Sequence, residues 1–149
     1  MIRPATPDDA SAIGDLFVRA RDEMTYLPRV PEDVRPLLGD RFLARAELWV
    51  AEKDGRMVGF AGVSGSELTH LYTDPRAQNR GVGTALLEHV KSLRPEHVVL
   101  WVFQRNEGAR RFYERHGFHL VRLTDGAANM EQEPDAFYEW RPPQYHPGP

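Results

Sequence analysis

Gln78-Asn79-Arg80-Gly81-Val82-Gly83-Thr84 separates a strand-like run ending at Thr73 from an amphipathic stretch that reaches about Leu93. Two glycines where a helix begins leave its first backbone N–H groups uncovered. Those donors, with the positive end of the helix dipole, favour an anion. The heptapeptide therefore reads as a place to hold a pyrophosphate. Its spacing excludes the better-known glycine motifs. No Lys-Ser or Lys-Thr follows a glycine, so the G-x-x-x-x-G-K-[ST] loop of nucleoside triphosphatases is absent. Gly81-Val82-Gly83 begins like G-x-G-x-x-G, but Leu86 stands at the third glycine position, and Thr73 lies too far ahead of Gly81 for a tight strand-to-helix turn. What stands is Q-x-x-G-x-G, at Gln78, Gly81 and Gly83.

Outward from this loop the periodicities alternate. Ile2 to Ala5 reads as a short edge strand, and Thr6-Pro7-Asp8-Asp9 as an N-cap with a first-turn proline. Ile13, Leu16, Phe17, Ala20 and Met24 follow at helical spacing. Thr25 to Pro31 breaks that helix, and Val34, Leu37, Leu38 and Phe42 predict a second, short one. Leu48–Lys53 and Met57–Val63 flank Asp54-Gly55, a two-residue turn that predicts an antiparallel hairpin. A strand over 67–73, a helix over 81–93, a strand over 97–103, a helix over 106–116 and a strand over 118–124 complete a β-α-β-α-β order. Residues 125–133 lack large apolar groups and read as a mobile loop, after which Ala136–Trp140 regains strand character.

The second chemical signature is Asn106-Glu107-Gly108-Ala109-Arg110-Arg111-Phe112-Tyr113-Glu114-Arg115-His116-Gly117-Phe118. Asn106 suits an N-cap, Ala109, Phe112 and Tyr113 share a helical face, and Gly117 suits the left-handed residue that ends a helix. The first motif resembles R/Q-x-x-G-x-G/A, the pyrophosphate loop of the GNAT superfamily of acyl-CoA-dependent N-acetyltransferases. The second resembles that family's N-x-x-A-x-x-F-Y-x-x-x-G-F at every defined position. The resemblance is strong over 47–124 and looser over 1–45 and 125–141. It implies an α/β fold with a mixed central sheet of six to seven strands and about four helices. It also implies acetyl-CoA as cosubstrate and transfer of an acetyl group to a primary amine.

Composition bounds the same picture. At 149 residues, 41% hydrophobic and 28% charged, one domain over 1–141 is expected, followed by a Pro-rich tail over 142–149 that reads as disordered. A formal net charge of −3 gives no basic excess for nonspecific nucleic-acid binding. No uninterrupted apolar run approaches the ~18 residues of a membrane span, and Met1-Ile2-Arg3-Pro4 is no signal segment, so a cytoplasmic protein is expected. Zero cysteines exclude a thiol acyl-enzyme and thiolate metal sites, so transfer is expected to be direct, within a ternary complex. Among the histidines none has metal-ligand spacing, and no metal is assigned.

By resemblance, Gln78, Asn79, Arg80, Gly81, Val82, Gly83 and Thr84 would hold the pyrophosphate. The backbone of Leu71, Tyr72 and Thr73 would pair with the pantetheine arm and face the thioester carbonyl, where oriented donors contribute ~3 kcal/mol to barrier reduction. Tyr113 would protonate the departing thiolate, since a phenol of pKa ~10 keeps its proton at neutral pH. Asn106 would contact the coenzyme, although an N-cap role explains it nearly as well.

The general base is open between Glu67, His70 and water. In a regular strand Glu67 and His70 point to opposite faces, so only one sees the pocket unless a bulge intervenes; His70 is preferred, because it titrates near neutrality. By resemblance, Tyr26, Leu27 and Pro28 would line the amine side of the cleft, with packing of the aromatic residue onto the core as the alternative. Asn129, Glu131 and Glu133 form an acidic loop that would either meet a cationic amine or stay solvated. Homodimers are common in the family, with the strand near Trp140 as a candidate element. The rival reading is a noncatalytic acyl-CoA-binding or protein-interaction module on the same fold.

Overall fold

The structure, a computed structural model, describes residues 1–77 and 81–143. Gln78, Asn79, Arg80 and most of the Pro-rich tail thus lie outside the described residues. Seven strands and four α-helices occur among those described, in two compact units, Met1–Val90 and Lys91–Pro149.

The first unit is an antiparallel meander of β1 (Ile2–Pro4), β2 (Glu47–Lys53), β3 (Arg56–Ser64) and β4 (Glu67–Thr73). Asp54 and Gly55 both adopt positive φ, 53° and 74°, the conformation that lets two residues close a twisted hairpin. Alternation along β2 and β3 then sorts side chains by face. Leu48, Val50 and Phe60 meet Ile13, Leu16, Phe17 and Val18 of α1 (Ala10–Asp22) and Leu38 of α2 (Leu38–Arg45) in one core. Each such fully buried side chain contributes about 1.5–3 kcal/mol. On the opposite face, Gly59 admits α3 (Val82–Leu93): a Cβ there would lie 2.8 Å from Val82 Cγ1 and 3.1 Å from Leu86 Cδ1.

Both ends of the first helix differ from the expected ones. Pro7–Asp9 is a 3-10 turn whose Asp9 carboxylate accepts the Thr6 N–H at 2.8 Å, and the α-helix runs only from Ala10 to Asp22. Arg3 holds this turn to the sheet by donating to both Asp9 oxygens at 2.8 Å and to Glu52 at 2.6 Å.

The register between β3 and β4 slips once. Val63 faces Leu68 but Gly62 faces His70, which leaves Thr69 as an extra residue on β4. Gly62 makes the space for this bulge: a Cβ there would sit 2.7 Å from Leu48 Cδ2, 2.8 Å from Thr69 Oγ1 and 2.9 Å from His70 Nδ1. Gly62→Ala is accordingly expected to cost about 1–3 kcal/mol through overpacking, read as a fall in the denaturation midpoint with unchanged slope. A variant as stable as the parent would show that Leu48 and the bulge yield freely.

In the second unit β5 (Val98–Phe103), β7 (Asp135–Trp140) and β6 (His119–Leu123) pair antiparallel, in that spatial order. Tyr138, fully buried, donates its hydroxyl proton to Glu114 of α4 (Glu107–Arg115) at 2.6 Å and accepts from Arg110 Nε at 3.0 Å. Gly117, at φ 88°, ends α4 as its motif requires.

The segment over 125–133 is tied in place. Asn129 donates to the Glu133 carbonyl at 2.7 Å and to Asp135 at 3.1 Å, and accepts from the Glu133 N–H at 3.2 Å. Glu133 is buried and pairs with Arg105 at 3.2 Å. Asn129 and Glu133 therefore hold the loop, which corrects their reading as solvated groups on a mobile segment.

Candidate active site

The bulge decides which side chains of β4 act together. Glu67 faces Ser64 and His70 faces Gly62, two residues apart on β3, so the extra Thr69 restores both to one face. Regular alternation would have separated them; the bulge is the exception under which both share a face. Tyr72, opposite Phe60, shares this face. The three side chains thus point to the side of the sheet that α1 and α2 cover.

His70 lies within aromatic walls: Phe42 at 4.3 Å, Phe60 at 6.0 Å and Tyr72 at 6.3 Å between ring centroids. Its Nδ1 pairs with Thr69 Oγ1 at 2.8 Å. Burial pulls its pKa down to about 4, because the cation loses water and gains no anion. Burial moves Glu67 the other way, raising its carboxyl above the ordinary 4.5. Burial thus disfavours the charged form of both groups, lowering the basicity of His70 and raising that of Glu67.

The His70 shift is also a statement about stability. Its folded pKa lies below its unfolded value of about 6.5, so the unfolded chain binds more protons between these values. The stability of the neutral form is complete above pH ~6.5 and is lost as pH falls towards ~4, by about 3 kcal/mol for the shift to about 4. Melting temperature is expected to drop across that window, and less steeply in His70→Leu. Identical pH slopes in the two proteins would refute the buried neutral imidazole.

β4 ends in a clamp the sequence reading missed. The Asp74 N–H donates to the Val58 carbonyl at 2.8 Å, and its buried carboxylate accepts from Arg19 at 2.8 Å, from the Arg76 N–H at 2.9 Å and from the Arg76 guanidinium at 3.2 Å. Burial alone would raise this pKa, but the Arg76 and Arg19 hydrogen bonds outweigh it and hold the group at about 2. The signal available was Asp74-Pro75 directly after a strand, a turn in which an aspartate side chain caps the backbone two residues on. The clamp fixes where the chain leaves Thr73 for the glycine loop.

At the start of α3 the Ala85 N–H donates to the Gly81 carbonyl at 2.9 Å. Val82 and Gly83 lie in the first turn of α3, at the positive end of its dipole. A Cβ added at Gly81 would meet nothing within 4 Å, so no packing in the described structure demands this glycine. Open space beside the helix start is what an approaching pyrophosphate needs.

Tyr26 and Leu27 fall after α1, in the predicted break. Leu27 is buried, and it lines a cavity of about 370 Å³ with Arg21, Asp22, Met24, Thr25, Pro28 and Arg29. Phe17 links this region to β4: the Arg21 guanidinium lies 5.8 Å from its ring, and the ring meets Tyr72 edge-on at 5.0 Å.

In the second unit, Tyr113 is buried with edge contacts to Phe112 at 5.4 Å and Phe118 at 5.6 Å. Asn106 accepts the Ala109 N–H at 3.2 Å and so caps α4. No cluster of His, Cys, Asp or Glu able to hold a metal occurs among the described residues. No helix among them is long and apolar enough to cross a membrane.

A sequence model of the acetyltransferase (GNAT) domain matches residues 44–120. Peptidyl-lysine N-acetyltransferase YiaC of Escherichia coli K12 is 41% identical over 124 residues, 81% of this chain and 84% of YiaC. Peptidyl-lysine N-acetyltransferase YjaB of the same organism is 43% identical over 82 residues, covering 54% of each chain. The solution structure of apo YjaB from Escherichia coli superposes with a TM-score of 0.75 at 28% identity, over 94% of this chain and 96% of that one. The structure of yncA from Salmonella typhimurium with acetyl-CoA shares the fold, with a TM-score of 0.71 at 20% identity over 100% and 97% of the two chains. The chain belongs to the GNAT family: it is an acetyl-CoA-dependent N-acetyltransferase.

Proposed function

We propose that the acceptor is the ε-amine of a lysine in a polypeptide, acetylated by direct attack within a ternary complex of enzyme, acetyl-CoA and acceptor. The observation that carries the chemistry is the Thr69 bulge, which sets Glu67 beside His70 and Tyr72, directly ahead of the Leu71–Thr73 strand end. The acceptor class follows the likeness to YiaC and YjaB, both peptidyl-lysine N-acetyltransferases.

Each residue then has one task. Gln78, Asn79, Arg80, Gly81, Val82, Gly83 and Thr84 form the loop that holds the pyrophosphate at the start of α3. The Leu71–Thr73 backbone takes the pantetheine arm and polarises the thioester carbonyl. Glu67 receives the proton of the attacking ammonium, and its negative charge draws that cation in. His70, kept neutral, shapes the wall beside Glu67 and adds no second positive charge to repel the amine. Tyr26 and Leu27 border the acceptor side. Tyr113 supplies a proton to the leaving sulfur. Asn106 serves first as the cap that orients α4, and through it Tyr113.

Initial rates with both acetyl-CoA and a lysine peptide varied test the direct route. Reciprocal plots that intersect are expected, since the chain has no cysteine to carry an acyl group. Parallel lines would mean a covalent acyl-enzyme and would overturn the ternary complex.

A further inference from the structure

The chain holds two lysines, Lys53 and Lys91, against 17 arginines. Lys91 is engaged: its Nζ donates to the His116 carbonyl at 2.6 Å and lies 4.9 Å from the Trp140 ring centroid and 5.8 Å from that of Phe118. Lys53 is exposed at the last position of β2, beside the Asp54-Gly55 turn and opposite Arg56. Among the described residues its amine makes no hydrogen bond, ion pair or ring contact.

Resting on the reading of lysine as acceptor, we propose that Lys53 is a self-acetylation site, modified when one copy of the chain presents its hairpin tip to the site of another. A free ammonium on an exposed hairpin tip gives up no bond on entering a cleft, whereas Lys91 would surrender a short hydrogen bond and its aromatic contacts. The flanks agree with the acceptor side. Lys53 sits between Glu52 and Asp54, and the cavity after α1 is lined by Arg21 and Arg29 against Asp22 alone, with the Arg29 side chain 80% exposed. Transfer is between copies because β3 lies between β2 and β4, which places the tip about 10 Å of sheet away from β4. In the step, the Lys53 amine forms a C–N bond to the acetyl carbon, the C–S bond of acetyl-CoA breaks, the ammonium proton passes to Glu67, and the thiolate leaves as the thiol. Lys53 loses its charge.

The test is peptide mapping by mass spectrometry after incubating the full chain with acetyl-CoA at neutral pH. Acetyl is expected on Lys53 and not on Lys91, at a rate that rises with the square of protein concentration. Lys53→Arg should lose the label while releasing thiol from a lysine peptide at the parent rate. Glu67→Gln should label about 10²-fold more slowly, which separates enzymatic transfer from spontaneous acylation. Equal labelling of both lysines, labelling indifferent to Glu67→Gln, a rate first order in protein, or an unlabelled Lys53 in a sample that acetylates the peptide each overturns the proposal. A sample that leaves the peptide untouched refutes the lysine reading itself, and the Lys53 site with it.

Discussion

Replacing Glu67 with Gln is expected to lower kcat/KM for a lysine peptide at neutral pH by about 10²- to 10⁴-fold, the range a positioned general base supplies. The variant keeps shape and burial but cannot take a proton. A lysine ammonium has a pKa of ~10.4, so at neutral pH the parent needs a base, whereas near the amine's own pKa free amine is abundant. The deficit should therefore shrink as pH rises. Parent activity should climb as Glu67 ionises, at a pH above the ordinary carboxylate value because burial raises this group. The variant should lack that limb and keep climbing towards high pH. Equal rates and superimposable profiles would assign the proton to water instead.

Tyr113→Phe carries the second large effect. The substitution removes one oxygen from a buried ring whose edge contacts to Phe112 and Phe118 remain, so the fold should be kept. If the phenol protonates the leaving sulfur, kcat falls by about 10²-fold while the dissociation constant for acetyl-CoA stays nearly the same, the signature of an interaction made in the transition state. Rates measured with a thioester whose thiol has a lower pKa sharpen the result, since a better leaving group needs less help from an acid. A variant that weakens coenzyme binding at unchanged kcat would make Tyr113 a packing or binding residue.

Much of this could be read in the residues because it is local. The Asp54-Gly55 hairpin, the glycine-flanked start of α3 and the Asn106 to Gly117 helix each depend on φ preference, capping and spacing within a few positions. The bulge was not legible in that way. Thr69 is extra only because Gly62, on the neighbouring strand, lacks a side chain and Leu48 occupies the space beyond it, a contact across two strands. A period-of-two reading of β4 alone had to place Glu67 and His70 on opposite faces. The lowered basicity of His70 has the same origin, because its burial depends on Phe42 from α2 and Phe60 from β3. The segment over 125–133 misled for a related reason: polar composition marks a loop, but its order comes from Asn129 bonding backbone and carboxylate several residues ahead.

The most direct test of the account is a thiol-release assay with acetyl-CoA and a set of acceptors: a lysine peptide, the same peptide with lysine replaced by arginine, an α-amine peptide without lysine, and free lysine. The product is identified by fragmentation mass spectrometry. Acetyl on the lysine ε-amine, one thiol released per acetyl gained, and no turnover of the arginine peptide is the predicted result. Turnover confined to free lysine or to the α-amine, or no acetyl transfer from a folded sample that binds acetyl-CoA, would contradict it.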